Sequence, residues 1–155
     1  MSPTHQHADV REAVRDGIAR TLAVVGLAGI ALIHLLDLPD TITGTPYIGW
    51  MYIGLIISAL ALGAVLVYSS DARAWKATAT LALSVILGYT LSRTTGLPGS
   101  TDDIGNWGQS LGIASLFVEG SLIALSAGVI RSRRTHQQQV VSTEPARPEI
   151  RLHAA

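Results

Sequence analysis

The chain has 155 residues, no cysteine, and 11 basic and 11 acidic side chains, which give a formal net charge of zero at pH 7. These numbers exclude disulfide scaffolds, thiolate metal sites and cysteine nucleophiles, and the balanced charge gives no indication of a nucleic-acid partner. Apolar residues make up 48% and charged residues only 14% of the sequence, whereas soluble domains contain roughly 25% charged residues. The composition therefore indicates an integral membrane protein.

The apolar residues are concentrated in four uninterrupted blocks, each close to the roughly 20 residues that a helix needs to cross a bilayer. These blocks cover residues 18–36, 48–68, 74–92 and 108–130. Because none of them alternates as a barrel strand does, they predict an all-α fold, a bundle of four transmembrane helices. The first block is too long for the apolar core of a signal peptide and is followed by Asp37-Leu38-Pro39-Asp40, so we interpret it as a retained span.

Lysine and arginine residues predict how these spans are oriented. Ten of the 11 basic residues lie at one set of span ends: before or within the first three residues of the first span, between the second and third spans or within the first three residues of the third, or after the fourth. The exception is Arg93, which lies in the connection between the third and fourth spans. Since basic segments flanking membrane spans stay in the cytoplasm, both termini are predicted to be cytoplasmic.

The two terminal segments differ from the spans in composition. Residues 1–17 are polar but carry Val10 and Val14 at helical spacing before Ile18, which predicts a short interfacial helix on the cytoplasmic side. Residues 131–155 are mostly polar and contain two prolines. We therefore expect this segment to be a disordered cytoplasmic tail.

The two predicted outer loops contain similar motifs. The first has Leu38-Pro39 followed by Ile48-Gly49-Trp50, and the second has Leu97-Pro98 followed by Ile104-Gly105-Asn106-Trp107. Two interpretations stay open: a duplicated helical hairpin, or the independent use of the residues that favour chain reversal.

The second of these loops carries a resemblance to a known family. Its sequence, Ser92-Arg93-Thr94-Thr95-Gly96-Leu97-Pro98 and then Asp102-Asp103-Ile104-Gly105-Asn106-Trp107, resembles the corresponding loop of small, uncharacterised four-span membrane proteins from actinobacteria. The resemblance extends from about His34 to Glu119. It implies a bacterial plasma membrane, and it implies no activity, because none is established for that family.

Small and polar residues at helical spacing predict which face of each span points into the bundle. The predicted faces are Ala19, Ala23, Gly26, Ile30, His34 and Asp37 on the first span; Gly54, Ser58 and Ala61 on the second; Thr80, Ser84 and Gly88 on the third; and Gly108, Gly112, Ser115, Glu119, Ile123 and Ser126 on the fourth.

Glu119, Ser58 and Ser84 each lie near the middle of a predicted span, and so near the bilayer centre. A charge at that depth costs roughly 2.5–3.5 kcal/mol, and no lysine or arginine lies there to offset it. We therefore expect Glu119 to be neutral at pH 7 and hydrogen-bonded to Ser58 or Ser84. This midplane layer is either a proton-coupling site or a structural link between helices.

A second group of polar residues is predicted at the outer surface. It consists of His34, Asp37, Arg93, Asp102 and Asp103. It is interpreted as the mouth of a cation or proton pathway, as a metal site, or as helix caps and ion pairs that need no ligand. A single membrane histidine beside oxygen ligands supports neither a metal centre nor bis-histidine haem, so we expect no metal and no other cofactor.

The sequence contains no phosphate-binding loop and no nucleophile elbow, and neither soluble segment is long enough to fold alone. The sequence predicts the lipid bilayer as a partner of this protein. Two hypotheses for its function remain. The first is a non-catalytic accessory or subunit of a larger membrane complex, which binds a partner membrane protein or a second copy through Gly/Ser helix faces. The second is a small homo-oligomeric transporter that exchanges protons for a cationic substrate at Glu119.

Overall fold

Four helices make up most of the described chain. The computed structural model describes residues 3–143, and for residues 3–9, 136–137 and 139–143 it describes the backbone alone. The helices are α1 (Pro3–Gly44), α2 (Pro46–Tyr68), α3 (Ala72–Thr94) and α4 (Ser110–Thr143). Each contains a segment that is long and apolar enough to cross a membrane. The predicted all-α architecture with four spans is therefore confirmed.

The helices follow one another around the bundle in chain order. α1 packs against α2 and α4, and α3 packs against the same two neighbours. The core consists largely of small side chains, with Trp75 as its largest fully buried residue. Small residues let transmembrane helices approach closely. We call the end that holds the α2–α3 connection the basic end, and the end that holds Thr45 and residues 95–109 the loop end.

Local sequence signals account for several helix ends. Pro46 occupies the first turn of α2, where a backbone N–H has no acceptor within the helix, so the N–H that proline lacks costs no hydrogen bond. Asp71 caps α3 by accepting a hydrogen bond from the backbone N–H of Arg73 at 3.0 Å. Gly96 ends α3 with a φ of +75°, and its N–H donates to the Leu91 carbonyl at 3.0 Å.

The first predicted loop is helical instead. α1 continues to Gly44, and Thr45 is the sole residue between α1 and α2. Pro39 lies inside this helix, where it removes one backbone hydrogen bond. The Thr43 hydroxyl lies 3.0 Å from the Pro39 carbonyl and 3.1 Å from the Asp40 carbonyl, so it helps to satisfy the last turns.

The two Leu-Pro motifs consequently adopt different structures. Leu38-Pro39 is helical, whereas residues Leu97 to Ser100 form a tight turn closed by two backbone hydrogen bonds of 3.0 and 2.8 Å. Gly99 has a φ of +73° in this turn, which a residue with a side chain rarely adopts. The same turn chemistry therefore does not explain both motifs.

Both terminal segments extend the helices of the bundle. Residues 3–17 belong to α1, so the predicted N-terminal helix is continuous with the first span. Residues 131–143 belong to α4, and the prediction of disorder is wrong for them. This stretch contains no glycine or proline and has several good helix formers, which explains its continuation. The rest of the predicted tail, residues 144–155, lies outside the described residues.

Candidate functional site

A line of buried residues runs along α4 with alternating spacings of three and four. It consists of Gly112, Ser115, Glu119, Leu122 and Ser126. This spacing is typical of the inward face of a helix in a bundle. It confirms most of the face predicted for the fourth span, with two differences: Gly108 is exposed, and Leu122 takes the position predicted for Ile123.

Glu119 is fully buried, and its carboxyl group is bound within its own helix. Its Oε1 accepts a hydrogen bond of 2.5 Å from the Ser115 hydroxyl one turn earlier. Its Oε2 is buried and has no partner among the described residues. Glu119 therefore forms no link between helices in the described part of the chain.

α1 and α4 pack closely beside this carboxyl group. A Cβ placed on Gly26 would lie 2.8 Å from Leu122 Cδ2, and one on Gly29 would lie 3.5 Å from Val118 Cγ1. At these glycines α1 therefore contacts α4 at Val118 and Leu122, which precede and follow Glu119 in the sequence. The carboxyl group lies in a tightly packed layer rather than in an open chamber.

The predicted hydrogen bond from Glu119 to Ser58 or Ser84 is wrong. Both serines lie on the outer surface of the bundle. Ser58 donates to the Gly54 carbonyl and Ser84 to the Leu81 carbonyl, each at 2.7 Å. A serine that satisfies its hydroxyl on its own helix has no need to face the core. The midplane layer is therefore reduced to Glu119 with Ser115.

The predicted inward faces of α2 and α3 are likewise rotated away from the core. Gly54, Ser58, Ala61, Thr80 and Ser84 are exposed, and Gly88 is half-buried. The buried positions include Ala59, Gly63 and Leu66 on α2, and Trp75, Thr78 and Ala82 on α3. On α1 the prediction is largely confirmed, because Ala19, Ala23, Ile30 and His34 are buried.

At the loop end, His34 and Asp37 belong to a small network between α1 and α2. The His34 Nδ1–H donates to the Ile30 carbonyl at 2.9 Å, and the His34 ring meets Tyr52 edge to face with centroids 4.8 Å apart. The Tyr52 hydroxyl donates to Asp37 Oδ2 at 3.3 Å, and the Thr41 hydroxyl donates to the same oxygen at 3.4 Å. Tyr52, which sequence reasoning missed, therefore connects the two predicted site residues.

Arg93 forms a second network at the loop end, and 5% of its surface is exposed. It makes an ion pair with Asp103 at 2.5 Å and donates to the side-chain oxygen of Gln109. Its guanidinium also lies over the Tyr89 ring, 4.9 Å from the centroid. An ion pair, one of the interpretations of the outer group, is thus present between Arg93 and Asp103, and it ties α3 to the segment that leads into α4.

The predicted capping of α4 by Asp102 or Asp103 is wrong. α4 begins at Ser110, several residues after both aspartates, because a series of turns separates them from the helix. Asp102 is exposed. The structure thus separates the predicted outer group into the His34–Tyr52–Asp37 network, the Arg93–Asp103 network and an exposed Asp102.

The basic end holds an ion-pair cluster that sequence reasoning missed. Asp16 Oδ1 accepts hydrogen bonds from Arg133 Nη2 at 2.9 Å and from the Ser70 hydroxyl at 2.8 Å. Asp16 Oδ2 lies 3.2 Å from Arg20 Nε. The spacing of four between Asp16 and Arg20 is a signal of helical pairing, whereas no local pattern brings Arg133 to them. This cluster connects α1, the α2–α3 connection and α4.

None of these clusters resembles a metal centre within the described residues. No group of three or more histidine or acidic side chains in that part of the chain is suited to hold a metal ion. The networks at both ends consist of ion pairs and hydrogen bonds that connect helices to each other or to the connecting segments.

Comparisons with known proteins add no relative. No family model, curated protein or solved structure matches this chain. The resemblance to four-span actinobacterial proteins stays a prediction, and the function has to be argued from the residues of this chain.

Proposed function

We propose that this protein is a non-catalytic accessory subunit of a larger membrane complex, and that one face of α4 binds a partner transmembrane helix. This face carries Gly120, Ala124 and Gly128, all of them exposed. A Cβ placed on Gly120 or Gly128 meets nothing within 4 Å. Small residues four apart form a shallow groove along a helix, through which transmembrane helices approach each other closely.

The contrast with the internal glycines supports this proposal. A Cβ on Gly26, Gly49 or Gly112 would approach a neighbouring helix to less than 3.0 Å, so packing within the bundle explains these three. Glycine in a helix costs about 1 kcal/mol relative to alanine. Gly120 and Gly128 bring that cost although no neighbouring helix in the described chain comes within 4 Å of a Cβ placed there. Because Ala124 lies between them on the same face, a contact with another helix is the explanation that we propose.

The test is capture of the complex from the protein's own membrane. The Gly120→Leu/Gly128→Leu variant fills the proposed groove, and Ala28→Leu adds bulk to an exposed position on α1 as the matched control. Native mass spectrometry after gentle extraction should show a stoichiometric second protein with the wild type and the control, and at least tenfold less with the double variant. An unchanged complex in the double variant contradicts the proposal, and a homodimer in place of a second protein favours self-association.

A proton-coupled transporter is the second candidate, and one observation favours it. Glu119 Oε2 is buried without a partner in the described part of the chain, and isolated acids inside a membrane usually have a function. In proteoliposomes with a pH gradient, the Glu119→Gln variant should abolish cation flux while remaining folded. Equal flux through wild type and variant, or none through either, contradicts this function.

We further propose that both termini are cytoplasmic and that the membrane is a bacterial plasma membrane. The orientation is supported by the concentration of ten of the 11 basic residues at the basic end and in the terminal segments. The kind of membrane rests on the resemblance of residues 92–107 to a loop of four-span actinobacterial proteins. Because the chain has no cysteine, single Thr101→Cys and Ser69→Cys variants provide a direct test. A membrane-impermeant maleimide should label Thr101→Cys in intact cells, and Ser69→Cys only after permeabilisation; the opposite result reverses the orientation.

A further inference from the structure

A groove of about 410 Å³ lies between α1 and α2 near the basic end. Four apolar side chains, Val24, Val25, Leu66 and Val67, line its length, and Arg20 and Thr21 lie at its polar end. Val25 is 64% exposed and Val67 55% exposed, so the groove opens on the lipid-facing surface of the bundle.

Arg20, the charged residue that lines the groove, belongs to an ion-pair cluster with an excess of positive charge beside it. Asp16 is shared by two guanidinium groups, with Arg20 on one carboxylate oxygen and Arg133 on the other. The side chains of Arg20 and Arg133 are 33% and 36% exposed. Arg20 uses its Nε toward Asp16, which leaves its terminal NH₂ groups to donate to a further acceptor. Arg20 and Arg133 therefore share the single carboxylate of Asp16 beside the apolar groove.

We propose that this groove binds one anionic phospholipid, with the phosphate at Arg20 and an acyl chain along the valine-lined wall. Arg20 lies one helical turn deeper in the membrane than Asp16, which is bound to the α2–α3 connection through Ser70. The Thr21 hydroxyl is directed to the Gly17 carbonyl at 3.0 Å, so Arg20 is the donor for the headgroup. Basic pockets between transmembrane helices select anionic headgroups by this combination of charge and apolar surface.

The test measures lipid binding to the delipidated full-length chain by native mass spectrometry. Phosphatidylglycerol and phosphatidylcholine with identical oleoyl chains are the two probes. The wild type should bind one phosphatidylglycerol with about tenfold preference over phosphatidylcholine. The Arg20→Gln variant should lose this preference, and Arg15→Gln, which removes an exposed arginine from the same helix, should retain it.

Two further measurements separate the site from a general effect of charge or unfolding. The Val25→Trp variant fills the groove and leaves Arg20 in place, so it should reduce the binding of both lipids while the circular dichroism spectrum stays helical. Inorganic phosphate should fail to displace phosphatidylglycerol, because it does not use the apolar wall. Equal loss in Arg15→Gln, undiminished binding in Val25→Trp, or full displacement by phosphate would each overturn the proposal.

Discussion

Replacing Glu119 by methionine tests whether the buried carboxyl group serves the fold. The side chain is fully buried and its Oε2 has no partner among the described residues. A buried polar atom without a hydrogen bond costs about 1–3 kcal/mol. Methionine has a similar length and adapts to irregular packing. We therefore expect Glu119→Met to stabilise the bundle.

The magnitude follows from the two oxygens taken separately. Removing Oε2 recovers about 1–3 kcal/mol. Removing Oε1 deprives the Ser115 hydroxyl of its acceptor, but that hydroxyl then turns to a carbonyl of its own helix, as Ser58 does. The net gain for Glu119→Met should be about 1–2 kcal/mol in the free energy of unfolding.

The assay is reversible unfolding in mixed micelles, followed by circular dichroism, on a double-mutant cycle with Ser115→Ala. Alone, Ser115→Ala leaves both carboxyl oxygens unpaired and should destabilise the protein by about 1–2 kcal/mol. In the Glu119→Met background the same change should cost less than about 0.5 kcal/mol. A loss of stability in Glu119→Met would refute the reasoning, because it would show that Oε2 makes a stabilising interaction.

Three further predictions concern five variants and can be tested by thermal unfolding or hydrogen exchange. Gly49→Ala should destabilise the protein by about 1–3 kcal/mol, because the new Cβ would lie 2.7 Å from an α1 backbone atom. Gly54→Ala should stabilise it by up to about 1 kcal/mol, because nothing lies within 4 Å of the new Cβ. Equal melting temperatures for the two variants would contradict this packing. Pro39→Ala restores a backbone N–H donor inside α1 and should slow amide hydrogen exchange in the last turns of this helix. Faster exchange would show that the proline does not weaken these turns. Arg93→Met should cost about 1–2 kcal/mol, since the remaining Asp103 is 43% exposed and is solvated by water. Asp103→Asn should cost at least as much, because it leaves the buried Arg93 guanidinium without its counter-ion; a smaller loss in Asp103→Asn would contradict this.

The sequence predicted the number of apolar helices long enough to span a membrane but not every boundary. Each span is an uninterrupted apolar block, so its length alone identifies it. The predicted loop at Pro39 was wrong because a proline removes a single backbone hydrogen bond, and α1 continues past it to Gly44. The Thr43 hydroxyl separately satisfies the Pro39 carbonyl in the last turns. The disorder predicted for residues 131–143 was wrong because polar composition does not prevent a helix from continuing where no glycine or proline stops it.

The sequence predicts which face of a span points into the bundle only where a polar side chain cannot make all of its hydrogen bonds within its own helix. A lipid tail is as apolar as a leucine, so hydropathy does not distinguish the core from the lipid-facing surface. Ser58, Ser84 and Ser121 donate to carbonyls of their own helices and lie outside the core, whereas Ser115 and Ser126 are buried, so a serine alone does not identify the inward face.

Histidine, arginine and glutamate behave differently, because each has more donors or acceptors than its own helix backbone satisfies. His34, Arg93 and Glu119 are all buried in the bundle. Two of them reach partners contributed by other segments: Tyr52 of α2 meets His34, and Asp103 pairs with Arg93. Glu119 differs, because its partner in the described chain lies on its own helix. Glu119 therefore brings a cost to the fold without joining two helices in the described chain, and the flux measured with Glu119→Gln decides between the two candidate functions.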